Sequence, residues 1–429
     1  MSPDLLAIVV LVVALLSAAR TLRHIFSVGM GANDVMVALV VMGCLAIYPV
    51  LALGARSAGA LNVGLCLALV GGLLSILGLF SALARREELQ AGLPLVWLSQ
   101  LALSFSLWTG LLLLLRAVPL ALRATAAELA WPGAWLWGPV LLSGLGIVHT
   151  IRAHDRVRVE RLRGPDTLAR PLRVVHLSDL HASPVTPGAT LRASIAKVNA
   201  LEPDLVLITG DLVIPFSEAS HAYLLDALAG LRAPTFHCAG NHDLPVIERL
   251  HTELAALGQP LLEGEQRLVR CGDLPVEVVG APFAWGAAEP QVEGLLAACP
   301  PLPGARLRLL LAHDPRLFRA VPAGRFDLVL SGHTHGGHLG AELLGLAGSP
   351  LRWLGLYDAG LFQREGALLN VSRGGWQLGF PPRMGVGGEL VLLLFSPEHP
   401  AAPAGARPAE GRAGPDGPRG PLARAGQSA

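Results

Sequence analysis

Lysine is almost missing from this 429-residue chain: Lys197 is the only one, and arginine carries the rest of the positive charge. With abundant Ala, Gly and Leu, this is the mark of codon bias in a GC-rich genome rather than of a function. Charge of either sign is scarce, 15% of residues against 52% hydrophobic, which is too apolar for an ordinary soluble protein. The net charge is only +1, so nothing pulls the chain strongly toward nucleic acid, and no specific nucleic-acid binding is expected. The five cysteines (Cys44, Cys66, Cys238, Cys271 and Cys299) are odd in number and lack C-x-x-C spacing. They supply neither a disulfide framework nor a thiolate metal site. No internal repeat is present.

The shortage of charge is uneven. Residues 1–150 hold five apolar runs, at about 4–19, 35–53, 60–83, 92–115 and 131–149. A bilayer-crossing helix needs roughly 20 apolar residues, so 1–150 is expected to be a transmembrane bundle of about five helices in contact with the lipid bilayer. Asp4 and the lack of an early basic region argue against a signal peptide. Trp131, Trp135 and Trp137 suit a membrane interface. Arginines cluster after the first, third and fifth runs (Arg20 and Arg23; Arg85 and Arg86; Arg152, Arg156, Arg158, Arg161 and Arg163). The positive-inside rule then predicts a multi-pass protein with a cytoplasmic C-terminal domain. The span centres lack acids and bases, which favours an anchor over a transporter.

Residues 151–171 read as a basic linker, and 172–396 as an α/β domain. Its strands are expected at Leu172–Leu177, Leu205–Thr209, Thr235–Ala239, Val276–Val279, Leu307–Ala312 and Leu328–Ser331, its helices at Leu191–Leu201 and Ala222–Leu231, and two edge strands at Ala367–Val371 and Glu389–Phe395. The Pro-, Ala-, Gly- and Arg-rich residues 397–429 read as a disordered tail.

Five polar clusters punctuate that domain, each just after an apolar run: Asp179-x-His181, Gly210-Asp211, Gly240-Asn241-His242-Asp243, His313-Asp314 and Gly332-His333-Thr334-His335. Strand ends can aim side chains into a shared crevice. If the strand period continues through Asp179 and His181, both point the same way and can bind one ion. Gly210 lets the backbone come close beside Asp211. Oxygen and nitrogen donors without sulfur suit Mn, Fe or Zn. His176 and His237 read as core residues or supports, and His221 as a surface residue.

Those clusters, in that order, resemble the calcineurin-like metallophosphoesterase family over residues 172–396. Asn370-Val371-Ser372-Arg373-Gly374-Gly375 and Pro382-Arg383 resemble the closing segment of bacterial, membrane-associated members. The resemblance implies a two-sheet β-sandwich flanked by helices, holding two divalent metal ions. Asp179, His181, Asp211 and His335 would hold one ion, and Asp211, Asn241, His313 and His333 the other. His242 would face the substrate as general acid or transition-state donor, oriented by Asp243. The implied function is a membrane-anchored phosphoesterase. It would cleave phosphodiester or related bonds in lipid-linked or nucleotide-type molecules by attack of a metal-activated hydroxide. One departure is Ile214, where relatives often carry an acid three residues beyond Asp211. The alternatives are a catalytically inactive metal-binding membrane scaffold and a transporter-associated regulatory domain.

Overall fold

Apolar side chains on both faces of a strand require cover on both faces, and the central strands of this chain carry them. Along β2 (Leu172–Leu177), Val174 faces one apolar cluster and Val175 another. In β3 (Leu205–Thr209), Leu205 and Leu207 alternate in the same way with Val206 and Ile208. β7 (Leu307–Leu311) and β8 (Leu328–Ser331) set Leu309, Leu311, Leu328 and Leu330 into the first of those clusters, and Leu310 and Val329 into a third. The shared cluster lies between two sheets, and the other two lie under helices.

The computed structural model describes residues 156–182, 188–213, 218–337, 349–353, 355–375, 383, 385–398 and 407–408, with isolated positions 145, 149 and 152. Apart from positions 145 and 149, the five apolar runs of 1–150 fall outside the described residues, as does most of the tail. Among the described residues, no helix is long and apolar enough to cross a membrane.

The remaining strands are β1 (Arg156–Arg163), β4 (Thr235–Cys238), β5 (Glu265–Cys271), β6 (Leu274–Gly280), β9 (Gly360–Arg364), β10 (Ala367–Val371), β11 (Glu389–Ser396) and the two-residue β12 (Arg407–Pro408). One mixed sheet runs β1-β11-β2-β3-β4, and the other runs β12-β9-β10-β8-β7-β6-β5. Strands β2, β3 and β4 are parallel, as are β6, β7, β8 and β10. Helices α1 (Gly188–Ala200), α2 (Glu218–Leu228) and α3 (Ile247–Ala256) cover the first sheet through Leu191, Ile195, Leu224, Leu228, Leu250 and Leu254. Helix α4 (Ala288–Ala298) covers the second through Val292 and Leu295. A further short helix, α5, spans Pro350–Trp353.

Two mixed sheets flanked by helices match the expected fold, with local corrections. Ala367–Val371 and Glu389–Phe395 form strands, but neither lies at an edge: β10 sits between β8 and β9, and β11 between β1 and β2. Residues 156–163, read as linker, form β1, paired in parallel with β11 from Arg156↔Glu389 to Arg163↔Ser396. Its arginine-rich sequence hides the strand, because one edge and most side chains meet solvent. His221, read as a surface residue, is buried beside Glu253.

Candidate metal centre

All five polar clusters emerge at the C-terminal ends of parallel strands β2, β3, β4, β7 and β8. β2 stops at Leu177, so Asp179 and His181 do not share a face through strand period. Instead the loops after β2 and β3 stay in step, with Asp179 N donating to Gly210 O (3.0 Å) and His181 N to Asp211 O (2.9 Å). Both residues turn into the left-handed region, with φ of 53° and 44°. Asp211, His333 and His335 do the same, at 53°, 68° and 49°. Such conformations cost of order 1–3 kcal/mol each and persist only where the surroundings over-determine them. Only two other non-glycine residues among the described ones share this region, so strain is concentrated in the candidate ligands.

The ligating atoms form two groups with a common member. Asp179, His181, Asp211 and His335 place one ligand atom each within 4.8 Å of one another, as do Asp211, His313 and His333. In the first group His335 Nε2 lies 3.3 Å from Asp179 Oδ1 and 3.2 Å from His181 Nε2. In the second, His313 Nε2 lies 3.2 Å from both Asp211 Oδ2 and His333 Nδ1. The Thr209 carbonyl, which can only accept, takes the His313 Nδ1 proton at 2.7 Å and leaves Nε2 facing the site. Asn241 Oδ1 is buried and has no hydrogen-bond partner among the described residues. A buried amide oxygen left in this way is costly unless something electropositive meets it.

The electrostatics also favour cations. Burial, opposed chiefly by His313, pushes Asp179 up to about 6. Burial would raise Asp211 too, but the charges of His313 and His242 outweigh it and hold that carboxylate well below its usual range. Burial lowers His313, yet Asp211 overcomes it and pushes the imidazole up to about 10. Burial, with the charge of His313, pushes His333 down to about 4. The donor set of carboxylates, imidazoles and one amide, with no sulfur, fits Mn, Fe or Zn.

His242 is about 30% exposed, and its Nε2 lies 4.0 Å from Asp211 Oδ2. Its backbone N–H donates to Asp211 Oδ1 (2.9 Å). The orienting role expected of Asp243 is a correction. Its carboxylate is wholly buried and accepts from Gly240 N (2.9 Å), Leu212 N (2.9 Å) and Val213 N (3.2 Å), so it ties the loops of β3 and β4 together rather than holding the His242 ring. Sequence reasoning missed Phe283, whose ring lies 5.8 Å from that of His313, and the exposed Trp285, 6.5 Å from His333. No motif flags them. Arg383 was noted only as part of the closing segment; its Nη2 lies 3.0 Å from His335 Nδ1. Ile214 lies outside the described residues.

Gly332 packs directly on the site. A Cβ there would overlap Ser178 Oγ and Asp179 Oδ2. Gly332→Ala is therefore expected to displace the Asp179 carboxylate and to cost about 1–3 kcal/mol of stability by overpacking. Thermal unfolding together with metal content checks this, and unchanged metal content would refute the close-approach argument.

The profile of the calcineurin-like phosphoesterase family matches residues 172–337. A protein of Escherichia coli K12 named phosphodiesterase YaeI is 32% identical over 240 residues, covering 54% of this chain and 82% of that protein. The chain belongs to the calcineurin-like phosphoesterase family. Members use divalent metals to hydrolyse phosphoesters. A Danio rerio protein named transmembrane protein with metallophosphoesterase domain is 29% identical over 56% of this chain and 56% of its own length. A Chlamydia muridarum protein named UDP-2,3-diacylglucosamine pyrophosphatase LpxG is 42% identical over 74 residues, 17% of this chain and 22% of that protein. The chain thus spans most of the Escherichia coli relative but about half of the Danio rerio one.

Proposed function

We propose that this chain is a membrane-anchored phosphoesterase with a dinuclear metal centre. It would act on phosphodiester or pyrophosphate bonds of lipid-linked or nucleotide-type molecules, from a catalytic domain at 172–396 on the cytoplasmic side. The observation that carries the reading is the sharing of Asp211 between the two ligand clusters. Asp179, His181, Asp211 and His335 would hold one cation, and Asp211, Asn241, His313 and His333 the other. Two such cations acidify water and stabilise charge on a phosphoryl group. The protein's own part is to fix that geometry. The left-handed turns aim the ligands, the Thr209 carbonyl sets the His313 tautomer, and Asp243 locks the loop carrying Asn241 and His242. His242, partly exposed at the edge of the cluster, would donate a proton to the leaving oxygen. The apolar runs of 1–150 and the Danio rerio relative's name support the anchor. The names of the Escherichia coli and Chlamydia relatives support diester or pyrophosphate substrates.

The test is hydrolysis by the full-length protein in detergent, stripped of metal and reloaded with Mn(II). An aryl phosphodiester, an aryl phosphomonoester and a diacylated nucleotide-sugar pyrophosphate would be compared. Metal-dependent cleavage of the diester or pyrophosphate supports the reading. Preference for the monoester would replace it with a phosphatase, and no turnover with two metals bound would favour the inactive scaffold.

A further inference from the structure

The layer between the two sheets is apolar except near its site end, where a hydrogen-bonded column crosses it. His176 lies on β2 and Asn370 on β10, one from each sheet, and both are completely buried. Their alternate neighbours Val174 and Leu368 belong to the apolar cluster between the sheets. Arg158, on β1, donates from Nη2 to Asn370 Oδ1 (2.9 Å). An arginine only donates, so the amide orientation follows, and Asn370 Nδ2 donates to His176 Nδ1 (2.8 Å). That leaves the His176 proton on Nε2, which donates to Thr209 Oγ1 (2.8 Å). The Thr209 carbonyl then receives Ser178 Oγ and His313 Nδ1, both at 2.7 Å. Glu389, almost fully buried at the start of β11, anchors the outer end by accepting from Arg158 Nε and Nη2, each at 3.1 Å.

Burying an amide, an imidazole and a hydroxyl in an apolar layer is costly unless each is satisfied. Here each is, and the run ends on a candidate ligand. We propose that Arg158, Asn370, His176 and Thr209 are positioning residues. They set the His313 imidazole for its cation and make that half of the centre depend on the docking of β1. His176 and Thr209 lie inside the matched segment 172–337 and Arg158, Asn370 and Glu389 outside it, so the column links the motif-bearing core to the flanking strands. Strand β1 also directly follows the apolar runs, which places the head of the column where the expected membrane region meets the catalytic domain. This inference rests on the metal-centre reading above.

The test uses the full-length protein and Mn(II) titrations followed by electron paramagnetic resonance, alongside thermal midpoints. Asn370→Leu breaks the column in the middle. Thr209→Val keeps the shape and removes only the hydroxyl, so folding is preserved if Asn370→Leu fails to fold. Leu224→Ala, on the buried face of α2 on the far side of the first sheet, is the control for general destabilisation. The expected result is a 10–100-fold weakening of one Mn(II) equivalent in the column variants, with the other unchanged. Leu224→Ala should lower the midpoint and leave both equivalents intact. Column variants that bind as the control does would overturn the inference. A wild-type protein that binds fewer than two Mn(II) would instead overturn the metal-centre reading beneath it.

Discussion

Asp211→Ala is expected to abolish hydrolysis and to weaken both cation sites at once. Asp211 is the one residue common to the two clusters. It also accepts the His242 backbone N–H and faces His313 at 3.2 Å. Removing a supporting partner of a metal ligand costs roughly 10–100-fold in affinity or activity, so losing a carboxylate that serves two ions should exceed that. Asn241→Ala is the informative comparison, because the proposed scheme assigns Asn241 only to the cation of His313 and His333, so the other equivalent should be spared. The check is metal content per chain with turnover measured on the same samples. An Asp211→Ala protein that keeps two ions would show that the clusters do not share this carboxylate.

His242→Ala should behave in the opposite way, keeping both ions and losing rate. Its side chain belongs to neither cluster, is about 30% exposed, and stands within 4.0 Å of Asp211. Loss of a general acid typically costs about 10²–10⁴-fold. The loss should be largest for substrates with alkoxide leaving groups and small for a nitrophenolate, which departs without a proton. A uniform loss across leaving groups would mean that His242 binds substrate or stabilises charge rather than delivering a proton. Falling metal content would make it a ligand. Asp243→Asn, by contrast, should act on the fold of the loop, since its carboxylate is committed to three backbone N–H groups.

The central strands were legible because they are buried on both faces, so their sequences are mostly apolar runs bounded by loops. β2, β3 and β8 fall at the residues expected of them. The strands that escaped notice are those without such runs. β5 carries Glu265, Arg267 and Arg270 at an edge, and β1 carries Arg156, Arg158, Glu160, Arg161 and Arg163. The candidate ligands were legible because their types and order are distinctive, and the structure gathers six of them, Asp179, His181, Asp211, His313, His333 and His335, into two adjoining groups. The reason they converge was not. A strand period was expected to align Asp179 with His181, whereas left-handed turns and the pairing of two loops do so. Local sequence does not announce such turns at Asp and His, because the surrounding packing imposes them. The hydrogen-bond column had the same invisibility, since Arg158, His176, Thr209 and Asn370 are far apart in sequence and meet only when the two sheets close.

The most direct test of the dinuclear centre is the number of metal ions at which activity appears. The metal-free full-length protein would be titrated with Mn(II), with turnover and spin–spin coupling followed in parallel. The account predicts that two ions bind per chain, that they couple magnetically through a shared carboxylate, and that turnover follows the doubly loaded species. A single bound ion, two uncoupled ions, or turnover that survives complete metal removal would contradict it.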